Sequence, residues 1–284
     1  MYPAGVAGIT AHRRRLGNGV SVRIVGGGPP EGEAVLLVHG WGGCVYSFAE
    51  LIPALVHGGY RVVAIDLPGH GLSDKPLDER HYTTRALIDV VLEVAELLGL
   101  SRFSYIGHSM GGLLGLRLAT GGLRGMERLV LISSAGLTRV PALGPARALS
   151  PAFLKRLIPP TMSRRLITGI LRAAYGTKER PTTRDIDEYW AMTQWDEYSL
   201  ACRACLHHVD FSRVEATKLR ALRIPVLVIT GGRDRVVGKG GKRGRLIPTA
   251  RLVFIREGGH LVMQECAPRT NAEILSFLRS DNRM

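Results

Sequence analysis

Three residues of this chain have the types and the order that nucleophilic acyl chemistry requires. Ser109 sits in Gly107-His108-Ser109-Met110-Gly111, a G-x-S-x-G run that follows an apolar stretch at 103–106 and precedes an alanine- and leucine-rich helical pattern. Between a strand and a helix, such a run describes a sharp turn that lifts a serine hydroxyl out of a sheet. Glycines flank the serine because a turn this tight leaves no room for Cβ atoms. Serine alone is a weak nucleophile; it needs a base, and the base needs an orienting acid. Asp234 follows the apolar run 225–230 within Gly231-Gly232-Arg233-Asp234, and His260 follows the run 251–255 within Glu257-Gly258-Gly259-His260. The order Ser, Asp, His is the one this turn predicts. Taken singly, each residue has a bland reading: a glycine-rich turn, a helix cap, a surface histidine. Taken together, those readings need three coincidences in the right order.

Stabilising groups for a developing oxyanion are also in place. The helix behind Ser109 aims its free N–H groups at the turn, Met110 first. A buried-strand run at 34–38 ends in His39-Gly40-Trp41-Gly42-Gly43, a glycine-rich loop whose Trp41 N–H would face the one from Met110. His39, Gly40, His108 and Leu261 border these positions and are candidate pocket residues. His39 has a second reading, as a side chain that holds the loop by hydrogen bonding. His108 and His70, in Asp66-Leu67-Pro68-Gly69-His70-Gly71, are read as neighbours of the chemistry and not as its proton carriers.

The elements that must position these residues alternate regularly. Segments 13–16 and 20–25, joined by Gly17-Asn18-Gly19, predict an opening β-hairpin. Strand-like runs follow at 34–38, 60–66, 103–106, 128–132, 225–230 and 251–255, with helical patterns between them, the clearest at 83–98. Strand–helix alternation predicts a parallel sheet covered on both faces, with its crevice at the carboxyl ends of the strands. The alternation breaks between 138 and 222, where a helix-like stretch is interrupted by Pro141, Pro145, Pro151, Pro159, Pro160 and Pro181. Its apolar residues Phe153, Leu157, Leu166, Ile170, Leu171, Trp190 and Trp195 face either the sheet domain or a substrate, and Trp190 and Trp195 are further pocket candidates.

Composition narrows the class. The 284 residues, 45% hydrophobic and 22% charged, suit one globular domain with an insertion. No apolar run is long enough to span a bilayer. The basic run His12-Arg13-Arg14-Arg15 comes after the mildly apolar start, the reverse of a secretion signal, so a cytoplasmic location is expected. The formal net charge of +14 is concentrated: between 139 and 180 nine basic residues (139, 147, 155, 156, 164, 165, 172, 178, 180) stand against Glu179 alone. Such a field would gather anionic small-molecule esters, acyl groups on an acidic carrier protein, or an anionic membrane surface. The competing reading is a solvated, arginine-rich face. No stacking platform or recognition motif accompanies the charge, so nucleic acid is not an expected partner.

Two segments imitate binding motifs. Gly238-Lys239-Gly240-Gly241-Lys242-Arg243-Gly244 lacks the phosphate-loop spacing and is read as a basic link to the next helix. Cys202 and Cys205, with His207 and His208 nearby, match neither zinc nor haem spacing and are read as buried small residues. Cys44 and Cys266 imply no disulfide framework. Neither a metal nor a cofactor is expected.

The chain resembles the serine-nucleophile branch of the α/β-hydrolase superfamily over nearly its full length. The resemblance rests on His39-Gly40-Trp41-Gly42, the segment Asp66 to Pro76, Gly107 to Gly112, Gly231 to Asp234 and Gly258 to His260. It implies a mostly parallel eight-stranded sheet with helices on both faces, formed by 1–137 and 223–284, and a helical cap at 138–222. It further implies Ser109 as nucleophile, His260 as general base, Asp234 as its orienting acid and main-chain donors at Trp41 and Met110. Asp66 and its loop are implied to shape the floor of the site. Esters, thioesters, lactones and amides all fit a serine nucleophile, with an ester hydrolase of the capped, esterase- or lipase-like kind expected. Carbon–carbon bond hydrolases of vinylogous diketones share the Met110-Gly111-Gly112 run but carry tryptophan where Leu261 stands. A non-catalytic binder on the same fold is the remaining alternative.

Overall fold

Long runs of β-branched and leucine residues, buried on both sides, make the centre of the molecule. In the computed structural model, whose described residues are 1–141, 143–148, 150, 161–238 and 241–280, eight strands form one sheet. They are β1 (Ile9–Arg15), β2 (Ser21–Gly27), β3 (Ala34–Val38), β4 (Arg61–Asp66), β5 (Phe103–His108), β6 (Met126–Ile132), β7 (Val226–Gly231) and β8 (Ala250–Ile255). Their order is β1-β2-β4-β3-β5-β6-β7-β8. β1 and β2 form the expected hairpin and β2 runs antiparallel to β4; every other pairing is parallel. β5 and β7 are buried at every residue, as parallel strands covered on both faces require.

Alternation within each strand splits the core in two. Leu36 and Val38 of β3 face the side covered by α2 (Thr84–Leu97) and α3 (Met110–Thr120), where Val90, Val91, Leu113 and Leu114 meet them in one cluster. Val35 and Leu37 face the opposite side, covered by α1 (Leu51–His57) and the C-terminal helix Ala267–Arg279, through Leu51, Leu55, Ile274 and Phe277. The sequence reason is period 2 in the strand meeting period 3.6 in the helices.

The described part of the segment between β6 and β7 holds five α-helices joined by loops and no strand: α4 (Leu143–Ala148), α5 (Arg164–Ala174), α6 (Thr183–Ala191), α7 (Tyr198–His208) and α8 (Ala216–Ala221). Thr182 caps α6 with a reciprocal bond to Asp185, the sequence signature of a helix start. Short helices α9 (Gly241–Gly244) and α10 (Val262–Glu265) complete the set before α11, the C-terminal helix already described. Gly241 to Gly244, read as part of a basic link, is thus a helical turn; Lys239 and Gly240 lie outside the described residues. So do Pro151, Phe153, Lys155, Arg156, Leu157, Pro159 and Pro160.

Topology fixes where a site must be. The connection from β3 leads to β4 on one side, whereas β5 lies on the other side and leads on to β6. Between β3 and β5 the order therefore reverses, and a crevice opens at their carboxyl ends. Register places Val38 beside Gly107 and His108 beside Ile132, so the loops after β3, β5 and β6 leave the sheet at one level.

Candidate active site

Ser109 stands at that crevice in a conformation few side chains tolerate. Its backbone is at φ 52° and ψ −113°, as the residue before α3. A non-glycine residue with positive φ stores on the order of 1–3 kcal/mol of strain. The turn is held by three main-chain bonds: Ser109 N–H to Ile132 O, and Leu113 N–H and Ala135 N–H to Ser109 O. Close packing enforces the two glycines. A Cβ on Gly107 would lie 2.5 Å from Gly111 O, and one on Gly111 would lie 2.0 Å from Val38 O.

Asp234 and His260 meet although 26 residues separate them, with His260 Nδ1 3.0 Å from Asp234 Oδ2. The other carboxylate oxygen of Asp234 accepts the N–H groups of Val236 and Val237 at 2.8 and 3.0 Å. Burial alone would push this carboxyl up; the bond and charge of His260 and the two amides outweigh it, leaving Asp234 below the usual carboxylate range. An ionised Asp234 accepts the proton on Nδ1, which leaves His260 Nε2 as the basic nitrogen.

Ser109, His108, His260 and Leu261 line one cavity of about 190 Å³, together with Gly40, Trp41, Gly42 and Gly43. Gly40 packs on the serine: a Cβ there would lie 2.8 Å from Ser109 Cβ. Met110 is the first residue of α3, so its N–H belongs to the unpaired donors of a helix start. The facing wall comes from the segment between β6 and β7: Val140, Leu143, Ile170, Leu171, Tyr189 and Phe211. Leu166 remains 52% exposed outside the cavity.

Three pocket candidates are corrected. His39 is fully buried beneath the loop; its Nε2 accepts Leu67 N–H at 3.0 Å and its Nδ1 donates to Gly40 O at 2.7 Å. It therefore fixes the Gly40 loop and does not line the cavity. Trp190 spends its indole N–H on Met162 O at 3.0 Å, packs half-buried against the hydrophobic cluster on the α1 side of the sheet, and is not part of the cavity lining. Trp195 is half exposed, with the Lys75 ammonium 5.0 Å from its ring centre. Gly40, His108 and Leu261 do line the cavity. His108 Nε2 lies 3.0 Å from His260 O; a carbonyl only accepts, so Nε2 carries the proton. Burial, reinforced by the neighbouring His260, lowers the pKa of His108 to about 3 and keeps the ring neutral.

Asp66 is a framework residue. It is wholly buried, accepts Val45 N–H and Leu72 N–H, and pairs with Arg23 at 3.3 Å. Cys202 and Cys205 lie buried in α7, and Cys44 is buried in the loop after β3; all four cysteines carry free thiols. Among the described residues no helix is long and apolar enough to cross a membrane.

Several site residues were not read from the sequence. Glu265 accepts Gly259 N–H on one oxygen and Gly176 and Thr177 N–H on the other, at 2.9, 2.6 and 3.0 Å. His260 N–H donates to Ala174 O, and Arg233 donates to Gly176 O at 2.8 Å. Gln264 accepts the hydroxyls of Tyr175 and Tyr189, and Ser47 bonds Tyr189. The contacts of Gln264 with Tyr175 and Tyr189, and of Ser47 with Tyr189, span 75 to 142 residues, beyond any local pattern. Only the position of Glu265, an acid five residues past His260, offers a local signal.

Comparison with known proteins is consistent with this geometry. A family model described as alpha/beta hydrolase fold matches residues 33–265. The acetyltransferase component of the acetoin cleaving system of Pseudomonas putida is 28% identical over 250 residues, which are 87% of this chain and 64% of that longer protein. An AB hydrolase superfamily protein of Bacillus subtilis is 26% identical over 285 residues, covering 93% of this chain and 96% of its own. Among solved structures, a meta-cleavage product hydrolase of Pseudomonas fluorescens superposes with a TM-score of 0.81 at 22% identity, over 95% of this chain and 98% of that one.

Proposed function

This chain belongs to the alpha/beta hydrolase family, and on that premise we propose that it cleaves carboxylic esters through an acyl-enzyme on Ser109. The observation that carries the proposal is the Asp234–His260 hydrogen bond of 3.0 Å at a cavity that Ser109 also lines. His260 Nε2 takes the Ser109 proton as Oγ attacks the acyl carbon, and Asp234 stabilises the imidazolium that results. The N–H groups of Trp41 and Met110 receive the oxyanion. His260 then passes its proton to the leaving alcohol, and water releases the acid by the same route reversed. Thioesters and lactones fit the same steps.

The helices between β6 and β7 act, in this reading, as a cap that selects substrate. A cavity of about 190 Å³ walled by aliphatic and aromatic side chains suits a short acyl group. Negative charge on a substrate, or on a carrier, would stay outside near the exposed Arg165 and Arg172 of α5. The test is a fluorophosphonate probe with a panel of p-nitrophenyl esters, on wild type and Ser109→Ala. Labelling and turnover that vanish together in the variant support the proposal. A wild-type serine that refuses the probe would point instead to a hydrolase-fold binder.

A further inference from the structure

A chain of hydroxyls behind the cavity has its protons committed in one direction. Gln264 is the anchor. Its Nε2 donates to Tyr46 O at 3.1 Å, which fixes the amide and turns Oε1 toward two phenols. Tyr175 and Tyr189 both donate to that oxygen, at 2.8 and 3.1 Å, filling its two lone-pair positions. Burial holds both phenols far above their ordinary pKa, so each keeps the proton it donates. Tyr189 then has only lone pairs left, and the 3.0 Å contact with Ser47 Oγ requires Ser47 to be the donor. Ser47 in turn has no hydrogen left to offer. It is 1% exposed and lines the same cavity as Ser109, beside Gly43 and Tyr189.

We propose that Ser47 is an acceptor-only subsite that selects esters carrying a hydrogen-bond donor, a hydroxyl or an amide N–H, close to the scissile bond. The inference deepens the ester-hydrolase reading and rests on it. A ketone or carboxylate at the same position would meet a lone pair and be rejected, because a buried acceptor left facing an acceptor gains no bond. The selectivity is therefore set by Gln264, which no substrate touches, through Tyr189. Gln264 and Tyr189 are positioning residues; Ser47 makes the contact.

The experiment compares three near-isosteric ethyl esters: butyrate, 3-hydroxybutyrate and 3-oxobutyrate. The same comparison in the alcohol part uses propyl, 2-hydroxypropyl and 2-oxopropyl butyrate, so that either orientation is covered. In one of the two series the hydroxyl member should lead both others in kcat/KM by about five- to tenfold, the size of one net hydrogen bond. In Ser47→Ala that ratio should fall to about one. In Tyr189→Phe the Ser47 proton is released, and the hydroxyl-to-ketone ratio should shrink or invert. Equal rates across both series in wild type, or a hydroxyl preference that survives Ser47→Ala, would overturn the subsite while leaving the ester-hydrolase reading intact. Failure to hydrolyse even the plain butyrates would remove both.

Discussion

The main-chain N–H of His260 donates to the carbonyl oxygen of Ala174, the last residue of α5. The loop that carries the proposed base is thus fastened to a helix that walls the cavity. Glu265 doubles the attachment by gathering Gly259, Gly176 and Thr177 on one carboxylate. Removing it should loosen His260 without touching substrate. Glu265→Gln should lower kcat by about tenfold, the scale for misplacing a catalytic group. The pH–rate profile should shift with it, whereas a change in KM alone would mean that Glu265 serves only the wall.

Ser109 separates strain from chemistry. Both Ser109→Ala and Ser109→Gly should abolish ester turnover, but only glycine relieves φ 52°. The glycine variant should be more stable than the alanine variant by about 1 kcal/mol. Urea unfolding of the two side by side checks this, and an alanine variant as stable as the glycine would show the turn to be unstrained.

Asp234→Asn tests the orientation of the base. An amide can donate as well as accept, and the His260 tautomer is no longer fixed. A loss of kcat/KM on the order of 10⁴ is expected, by analogy with the same change in other serine triads. A loss below tenfold would show that Asp234 is only a framework acid.

Three buried histidines set the acid limit of the fold. Burial lowers His39 to about 4, and His70 and His108 to about 3, from an ordinary value of 6.5. Between those values the unfolded chain binds more protons than the folded one. Their share of stability is complete above pH 6.5 and is lost as the pH falls toward the folded values. Each should cost about 2 kcal/mol by pH 5. Denaturant unfolding from pH 7 to 5 should therefore show stability falling well before carboxylates titrate, while a flat profile would mean that these rings are not held neutral.

Salt should distinguish charge recruitment from the cavity's own preference. Among the basic residues of this segment, Arg147 donates to Leu206 O, and Arg164 and Arg180 are paired with acids. Among the described residues, exposed Arg139, Arg165, Arg172 and Lys178 make no ion pair, and Arg165 and Arg172 lie on α5. Toward an ester with an anionic leaving group, kcat/KM should fall severalfold from about 0.02 to 0.5 M salt, and toward a neutral ester it should stay level. Equal behaviour of the two esters would remove any electrostatic role for α5.

What could be read from the sequence follows from how local its causes are. β3 was placed residue for residue, and β4 to β8 within two residues, because a strand covered on both faces writes its burial into consecutive side chains. Ser109, Asp234 and His260 were legible because each sits a few residues past such a strand. The walls were not. Trp190 and Trp195 have the residue type of a pocket lining, yet one indole is occupied by Met162 O and the other covers Lys75. Ser47 looked like any loop serine; its meaning comes from Tyr189, 142 positions later, and from an amide on Gln264.

Gly176 and Gly259 approach so closely that a Cβ on either would lie within 2.6 Å of the other's nitrogen. For anyone wishing to retool this molecule, that contact draws the cutting line. Exchanging the whole span 138–222 for a foreign sequence would tear out the anchorage of His260 along with the roof. A transplant that ends before Ala174 and resumes after Thr177 keeps the seam and leaves the donor helices free to vary. The exchangeable stretch is thus shorter than 138–222, because residues 174–177 must stay, and a pair of touching glycines marks where they are held.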